Sequence, residues 1–332
     1  MTVTGATPAR AQLPDEPTWV PPRAGAAETM AGGVAGAMSG LGAPVLAPVL
    51  ALALRGLGPR PRPRTRTAAP CDPGDPGWFG PGSVAWRVHA DVALAPSGLS
   101  AFMLQALHPR AMAGVWDHSA FGGDFLGRTR RTAEFVQGVV YGSSAEADAW
   151  CRRVQAVHRR VVGTTPDGRP YDAADPELVD WVHCTEYLAI AAGNRRFAAH
   201  PMTDDELDAY VAETARVGEA MGVASPPRSW AELDAAMRRH RPSLAVGEQA
   251  VLAVRFLRAG PGLPAAARPA WALLVAGATA VLPPVARRLL RLAEPPVPQV
   301  AACRALVRAL GRVGGPPPQL LDARRRVGAA PP

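Results

Sequence analysis

Beyond residue 76 the chain repeats apolar residues every three or four positions, which is the pattern of amphipathic helices. The stretch after Glu146 illustrates it best, because its apolar side chains share one helix face: Ala147, Trp150, Cys151, Val154, Val157 and Val161. No convincing two-residue alternation, the mark of a half-buried strand, interrupts the pattern. The sequence therefore predicts an all-α fold.

Helix starts are marked at several positions. Three Ser/Thr-x-x-Glu capping boxes and one Asp-Pro cap occur: Ser143 with Glu146, Thr203 with Glu206, Ser229 with Glu232, and Asp175 with Pro176. Two Pro-Pro breaks, at 283–284 and 295–296, divide the last ninety residues into two or three shorter helices. We expect a main helical domain over residues 71–240, then C-terminal helices and, from about Gly314, a disordered tail within residues 241–332.

The first seventy residues have a different composition. No charge occurs from Met30 to Leu54, which is long enough to span a bilayer, and five arginines follow by Arg66. Gly, Ala and two prolines in this stretch leave a surface-lying helix or a low-complexity lead as alternatives. Alternating Arg and Pro from Pro59 to Arg66 predict an extended linker. Residues 1–70 are therefore expected to be a disordered or membrane-contacting lead and linker.

Charge is unevenly distributed along the chain. All 36 basic residues are arginines, and the net charge is +8. Residues 71–236 carry fourteen arginines and twenty-two acids, whereas residues 237–332 carry fifteen arginines and three acids. Basic flanks of this kind are explained first by solubility, and contact with an anionic membrane surface is the next interpretation. Nucleic acid is not expected, because the basic stretches lack the interleaved aromatic residues that stack on bases.

Cysteine usage indicates the compartment. The four cysteines (Cys71, Cys151, Cys184 and Cys303) are scattered and form no CxxC pair. This distribution predicts free thiols in a reducing, cytoplasmic setting and argues against a zinc site. Membrane association of a cytoplasmic protein stays open.

Two predicted helices carry chemistry on apolar faces. His158 lies on or beside the stripe that follows Glu146, where a neutral imidazole suits either a heme iron or a backbone carbonyl in the core. Arg128 and Thr132 share a face with Phe135, and Arg131 adjoins it. These polar groups either point into a pocket, where they donate to a bound oxygen species or a cofactor carboxylate, or form a solvated basic edge.

Two further histidines are candidates. His183 and Glu186 lie three residues apart on an apolar helix, which predicts a buried hydrogen-bonded pair, with half a carboxylate metal site as the alternative. Asp117 and His118 form either an acid–base pair or a helix terminus. The chain lacks the glycine-rich and nucleophile-elbow motifs of nucleotide-binding and hydrolase folds.

Taken together, these segments resemble the MpaB-like oxygenase family, which is related to the rubber-cleaving latex clearing proteins. The resemblance covers roughly residues 76–240 and rests on six segments in consistent order: 104–109 (LQALHP), 117–119 (DHS), 127–132 (GRTRRT), 157–158 (VH), 167–171 (DGRPY) and 181–183 (WVH). It implies a globin-like helical core with additional C-terminal helices, a b-type heme, and dioxygen chemistry on an apolar small molecule or polymer. Residues 71–240 would then be the heme-type catalytic domain.

The resemblance also implies roles for individual residues. The R-x-x-K-T motif of the latex-clearing relatives maps onto Arg128, Arg131 and Thr132, and the histidine that holds their iron maps onto His158, with His183 as runner-up. Arg131 replaces a lysine and stays protonated at ordinary pH, so it cannot be a neutral sixth ligand. The relatives' catalytic glutamate has no clear counterpart, which leaves two neighbouring candidates: Asp117 and His118.

Three function classes are compatible with these features. The first is a heme-dependent oxygenase or peroxidase-like oxidoreductase, in which heme carries the electron chemistry. The second is a heme carrier or gas sensor without turnover. The third is a membrane-associated helical protein without heme.

Overall fold

The computed structural model describes residues 18–25, 73–119 and 125–329. Within these ranges the chain forms thirteen α-helices and one two-stranded hairpin, so the all-α prediction is confirmed. In chain order the helices are Val84–Ala90 (α1), Leu94–Gln105 (α2), Pro109–His118 (α3), Phe125–Tyr141 (α4), Ser144–His158 (α5), Pro176–Phe197 (α6), Asp204–Met221 (α7), Trp230–His240 (α8), Glu248–Ala259 (α9), Arg268–Ala280 (α10), Pro284–Leu289 (α11), Val297–Gly314 (α12) and Pro318–Arg326 (α13).

Helix α6 forms the centre of the molecule. It begins where the Asp175 carboxylate accepts a hydrogen bond from the Glu177 amide, with proline at its first position. Helix α2 packs along it so closely that a Cβ added at Gly193 would lie 1.9 Å from the Ser97 Oγ. Helix α10 packs on α2, and α12 packs on α10 and α6. One hydrophobic core therefore extends from Trp78 to Leu310, and the boundary expected at residue 240 does not separate two cores.

The capping predictions hold because they are local. Both reciprocal hydrogen bonds of the capping box form at Ser143 and at Thr203. At Ser229 only half of the box forms, because the carboxylate of Glu232 accepts from the Arg228 amide instead of from Ser229.

The hairpin corrects the expectation that no strand is present. Strands β1 (Val162–Thr164) and β2 (Pro170–Asp172) pair antiparallel, with Gly163 opposite Tyr171. Each strand has three residues, and Tyr171 is the only buried one, so no two-residue alternation is long enough to detect in the sequence. Because the hairpin directly follows α5, it reverses the chain towards α6.

The C-terminal tail is not disordered as expected. Helix α13 places Leu320 and Ala323 against Trp86, Val140 and Tyr141. The Arg326 guanidinium donates to the carbonyl oxygens of Asp75 (2.8 Å) and Tyr141 (2.9 Å). The prediction was wrong because this helix is short and basic, with two buried anchors too few to give a periodic pattern.

We expect Leu320→Ala to lower the free energy of unfolding by about 2–3 kcal/mol, because Leu320 is 5% exposed in this contact. Urea denaturation measures the change. Leu321→Ala is the matched control, since Leu321 is only half-buried and should lose less. Equal effects of the two substitutions would contradict the packing of α13.

Part of the N-terminal lead also contacts the helical domain, contrary to expectation. The Trp230 indole donates to the Trp19 carbonyl oxygen at 2.9 Å, and the Trp19 amide donates to Asp234 at 3.3 Å. Arg23 donates to the Met202 carbonyl oxygen at 3.3 Å. These contacts fasten residues 18–25 to α8 and to the start of α7.

The uncharged stretch from Met30 to Leu54 lies outside the described residues. Among the helices that the structure does describe, none combines the length and apolarity needed to cross a bilayer. The proposed membrane contact of this stretch stays a prediction.

Three of the four cysteines are free and buried, as predicted: Cys151 in α5, Cys184 in α6 and Cys303 in α12. Desolvation raises the pKa of each thiol, to about 11 for Cys151 and to about 12 for Cys303. These thiols are therefore protonated at neutral pH. Cys71 lies outside the described residues.

Candidate functional site

One face of the central helix α6 is exposed, and only along part of the helix. Between residues 181 and 195, Val182 and Glu186 alone keep appreciable accessible surface, with Val182 38% exposed. The two residues are one helical turn apart and therefore share a face. An apolar side chain left exposed within an otherwise buried helix gives α6 one open face, to which a ligand has access.

Two neighbouring helices border the same space. From α2, the Gln105 amide donates to the Glu186 carboxylate at 3.2 Å. Phe102, one turn earlier on α2, carries the guanidinium of Arg128 from α4 over its ring, 5.5 Å from the centroid. We call this space the central cleft; its bordering residues are Phe102, Gln105, Arg128, Val182 and Glu186.

Arg128 is a half-buried cation with an unused donor. Its Nη1 is buried and has no hydrogen-bond partner among the described residues. Desolvation, assisted by the charge of Arg131, lowers its pKa to about 10, so the guanidinium remains protonated at neutral pH. A buried donor without a partner costs about 1–3 kcal/mol. A bound carboxylate or oxygen atom at this position would recover that free energy.

Glu186 is a buried carboxyl that the sequence analysis did not assign to the site. Desolvation raises its pKa to about 7, against the opposing effect of the Gln105 hydrogen bond, so at neutral pH a large share of it is neutral. Its side chain nevertheless keeps accessible surface, because it borders the cleft. A sequence signal did exist: Glu186 is flanked at four residues on either side by Val182 and Ile190, which leave it no helical ion pair.

The predicted hydrogen-bonded pair of His183 and Glu186 is wrong. The His183 ring instead packs edge-on against Tyr187, with centroids 4.8 Å apart. Its Cε1 and Nε2 face Gly218 of α7, where an added Cβ would lie 3.0 and 3.1 Å away. Burial lowers the His183 pKa to about 4. A spacing of three residues places the two side chains on one side of the helix. In the folded chain, however, each packs against a different neighbour.

His158 is the last residue of α5. Its side chain is half-buried, so its ring is partly open to solvent. Desolvation lowers its pKa, against the opposing charge of Asp172 on β2, so the imidazole is neutral at pH 7. A half-buried ring does not fit the alternative from the sequence, a core histidine bonded to a backbone carbonyl. Val157 beside it is 44% exposed, which leaves open apolar surface next to the ring.

The register of α5 relates His158 to α6. Cys151 lies two turns earlier than His158 on the same face of α5. Desolvation raises the pKa of Tyr187 on α6, and an electrostatic interaction with Cys151 adds to this effect. Gln155 donates to the Ala220 carbonyl oxygen of α7 at 3.0 Å. Helix α5 therefore packs mainly against α4 and α7, and the hairpin then leads the chain from His158 into α6.

The three residues of the predicted R-x-x-K-T motif separate in the structure. Arg128 is half-buried with its Nη1 closed to solvent, whereas Arg131 and Thr132 are exposed on α4. From the sequence we also expect Arg128 and Thr132 to face the same pocket as His158, and for Thr132, whose side chain is exposed, the alternative of a solvated edge holds instead. Direct roles of Arg131 and Thr132 in catalysis stay predictions.

Asp117 and His118 hold the hairpin. The Tyr171 hydroxyl donates to the Asp117 carboxylate at 2.6 Å, and the His118 Nε2 donates to the Val162 carbonyl oxygen at 3.2 Å. Both residues are exposed, and neither makes a hydrogen bond or ring contact with Arg128. These contacts provide a structural reason for the pair, and their interpretation as catalytic groups gains no support.

We expect Glu186→Gln to change the pH dependence of stability. The wild-type carboxyl has a folded pKa of about 7, above its ordinary value of 4.5, so wild-type stability falls as the pH rises through this interval. The variant should gain roughly 3 kcal/mol relative to wild type between pH 4.5 and pH 8. Urea titrations across this range measure it. Glu248→Gln, at the exposed start of α9, is the control and should leave the profile unchanged.

Comparison with known proteins supports one family. A family model described as ER-bound oxygenase mpaB/B'/Rubber oxygenase, catalytic domain, matches residues 86–312. This range runs from α1 to α12 and includes all residues of the central cleft and His158. No curated protein and no solved structure gives a significant match. Within the described residues, no group of three or more His, Cys, Asp or Glu side chains could hold a metal ion.

Proposed function

Because the chain belongs to the family of mpaB and rubber oxygenase catalytic domains, we propose that it is a heme-dependent oxygenase of an apolar substrate. Membership of an oxygenase family supports oxygenase-type activity, which uses dioxygen and an organic substrate. The heme, the role of His158 as its iron ligand and the apolar character of the substrate are the proposed elements.

The observation that carries this proposal is a donor set that fits heme. A b-type heme takes an axial side chain from the protein and carries carboxylates of its own. His158 offers a neutral imidazole that is partly open to solvent, and the Nη1 of Arg128, unpaired within the described residues, suits a carboxylate or a bound oxygen atom. The charge of Asp172 acts on the His158 ring and raises its pKa against desolvation, and a carboxylate near a histidine is a common partner of metal-bound imidazole.

His158 is favoured over His183 because of the space around each ring. The Nε2 of His183 faces the backbone of α7 at Gly218, which leaves no room for a planar macrocycle. His158 ends its helix beside the open surface of Val157. His183 lacks the expected hydrogen bond to Glu186, but its ring is still not available to a ligand, because packing contacts surround it.

In this proposal the residues of the cleft have distinct tasks. The bound heme would supply the redox chemistry of dioxygen activation. Arg128 keeps a fixed positive charge in a desolvated place, where it donates to oxygen atoms more strongly than in water. A large share of Glu186 keeps a proton on its carboxyl at neutral pH, and Val182 and Phe102 provide apolar surface for a substrate.

The test is the absorbance spectrum of the full chain, as purified and after titration with hemin. We expect a Soret band that saturates at one heme per chain. Oxygen consumption with a reductant and an apolar alkene should then distinguish an oxygenase from a heme carrier or gas sensor. A chain that leaves the spectrum of free hemin unchanged would refute the heme proposal, whatever its other activities.

A further inference from the structure

A second concave site lies in the C-terminal part of the molecule, away from the central cleft. It is a groove of about 530 Å³ between the end of α9, the outer side of α10 and the chain that joins α11 to α12. We call it the C-terminal groove; its lining includes Arg258, Ala272, Val275, Ala276, Arg291 and Leu292. This volume is within the range of sites that enclose small organic ligands.

Two arginines line the groove without an acidic partner. Arg258 ends α9 and Arg291 follows α11, and neither forms an ion pair within the described part of the chain. The acid in the lining, Glu294, is already paired with Arg287 at 3.5 Å. Between Glu248 and Glu294 the sequence contains six arginines and no acid. The groove therefore presents uncompensated positive charge.

Arg291 occupies a backbone position that favours glycine. Its φ is 51°, the only positive value of a non-glycine residue in the described ranges. The Leu292 amide donates to the Arg287 carbonyl oxygen at 2.9 Å, which closes the end of α11 in the manner of a Schellman motif. Glycine would adopt this conformation with less strain, so folding alone does not account for an arginine. The position of Arg291 in the lining of the groove gives a reason for an arginine there.

The α10 side of the groove is mostly apolar, whereas Thr279, Glu294 and Gln299 add polar groups to the lining. Ala272 and Ala276 lie one turn apart on the outer side of α10, and Val275 lies beside them. Leu292 and Pro295 form the facing side. The small side chains of Ala272 and Ala276 leave room for a hydrocarbon chain along this side of α10.

We propose that the C-terminal groove binds a single-chain anionic amphiphile, with the hydrocarbon chain along α10 and a carboxylate or phosphate head group at Arg258 and Arg291. A hydrocarbon chain matches the mostly apolar α10 side, and a head group of opposite charge matches the two arginines. This site is independent of the heme proposal, because no residue of the central cleft lines the groove.

The test is fluorescence titration of the full chain with 11-(dansylamino)undecanoic acid and with its uncharged methyl ester. We expect the acid to bind about tenfold more tightly than the ester, in line with the strength of charge-assisted hydrogen bonds. Arg291→Gly should remove most of that preference without lowering the melting temperature, because it relieves backbone strain. Arg312→Ala, an exposed arginine of α12, is the control and should bind as wild type does.

A third variant tests the α10 side of the groove. Ala272→Trp should weaken binding of acid and ester alike, since it fills the groove from an exposed position. Equal binding of acid and ester by wild type, or an Arg291→Gly variant that retains the preference, would overturn the proposal. Sedimentation with phosphatidylglycerol vesicles tests for a bilayer contact instead. If Arg291→Gly loses vesicle binding but binds the probe as wild type does, the arginine contacts a bilayer and the proposal is overturned.

Discussion

We expect the His158→Ala variant to lose heme, with no Soret band after gel filtration of the hemin-loaded chain. His158 would provide the axial imidazole, and none of the five residues of the central cleft is a His, Cys, Met or Tyr, the side chains that usually hold heme iron. A His158→Gly variant supplied with imidazole should recover the band, because the free ligand can enter the space left by the side chain. Rescue of this kind separates loss of a ligand from loss of structure.

The matched variant is His183→Ala. Removal of this buried ring leaves a cavity between α6 and α7, and the free energy of unfolding should fall by about 2–4 kcal/mol while the Soret band persists. If His158→Ala keeps a normal band and His183→Ala loses it, the two histidines have the opposite roles. Asp172→Asn should shift the band or weaken heme retention without abolishing either.

The second large effect is a loss of stability in mild acid. Desolvation lowers the pKa of His89 to about 3 and that of His108 and His183 to about 4. Each is a base whose folded pKa lies below its unfolded value of about 6.5. The stability that these histidines contribute is therefore fully present above pH 6.5 and is lost as the pH drops towards 4, because the unfolded chain takes up protons that the folded chain excludes.

Together the three histidines are worth on the order of 10 kcal/mol between these limits, which is comparable to the whole stability of a typical domain. We expect cooperative unfolding above pH 4, measured by circular dichroism. His108→Phe should be about 2 kcal/mol more stable than wild type at pH 5, because neither ring nitrogen of His108 makes a hydrogen bond in the described structure. His200→Gln is the exposed control. If stability depends on pH in His108→Phe as it does in wild type, the lowered pKa assigned to His108 is wrong.

Features fixed by neighbouring residues could be predicted from the sequence. The caps at Ser143, Thr203 and Asp175 formed as expected, since each depends on side chains within three residues of the helix start. The position of α6 was likewise evident from its apolar period. Interpretation of His183 failed because helical spacing defines a face, whereas the rotamer depends on what the adjacent helix offers, here Gly218.

Features that depend on distant residues could not be predicted. Nothing within the local sequence shows that Gln105 reaches Glu186, eighty-one positions later, or that Arg128 settles over Phe102. The contact of α13 with α4 and the C-terminal groove likewise depend on segments far apart in the chain. The resemblance named the correct family because it used the order of short motifs, which does not require knowledge of their contacts.

The buried cysteines give the protein an internal reporter of its own motions. Cys151, Cys184 and Cys303 lie in three different helices and are closed to solvent in the folded chain, so a thiol reagent can reach them only when the surrounding segment opens. The rate at which each thiol is alkylated under native conditions therefore measures local opening at the helix that carries it. The alkylation rate of Cys151, two turns from His158, would measure how often α5 separates from the neighbouring helices. A ligand that slows this alkylation would be one that stabilises the closed arrangement.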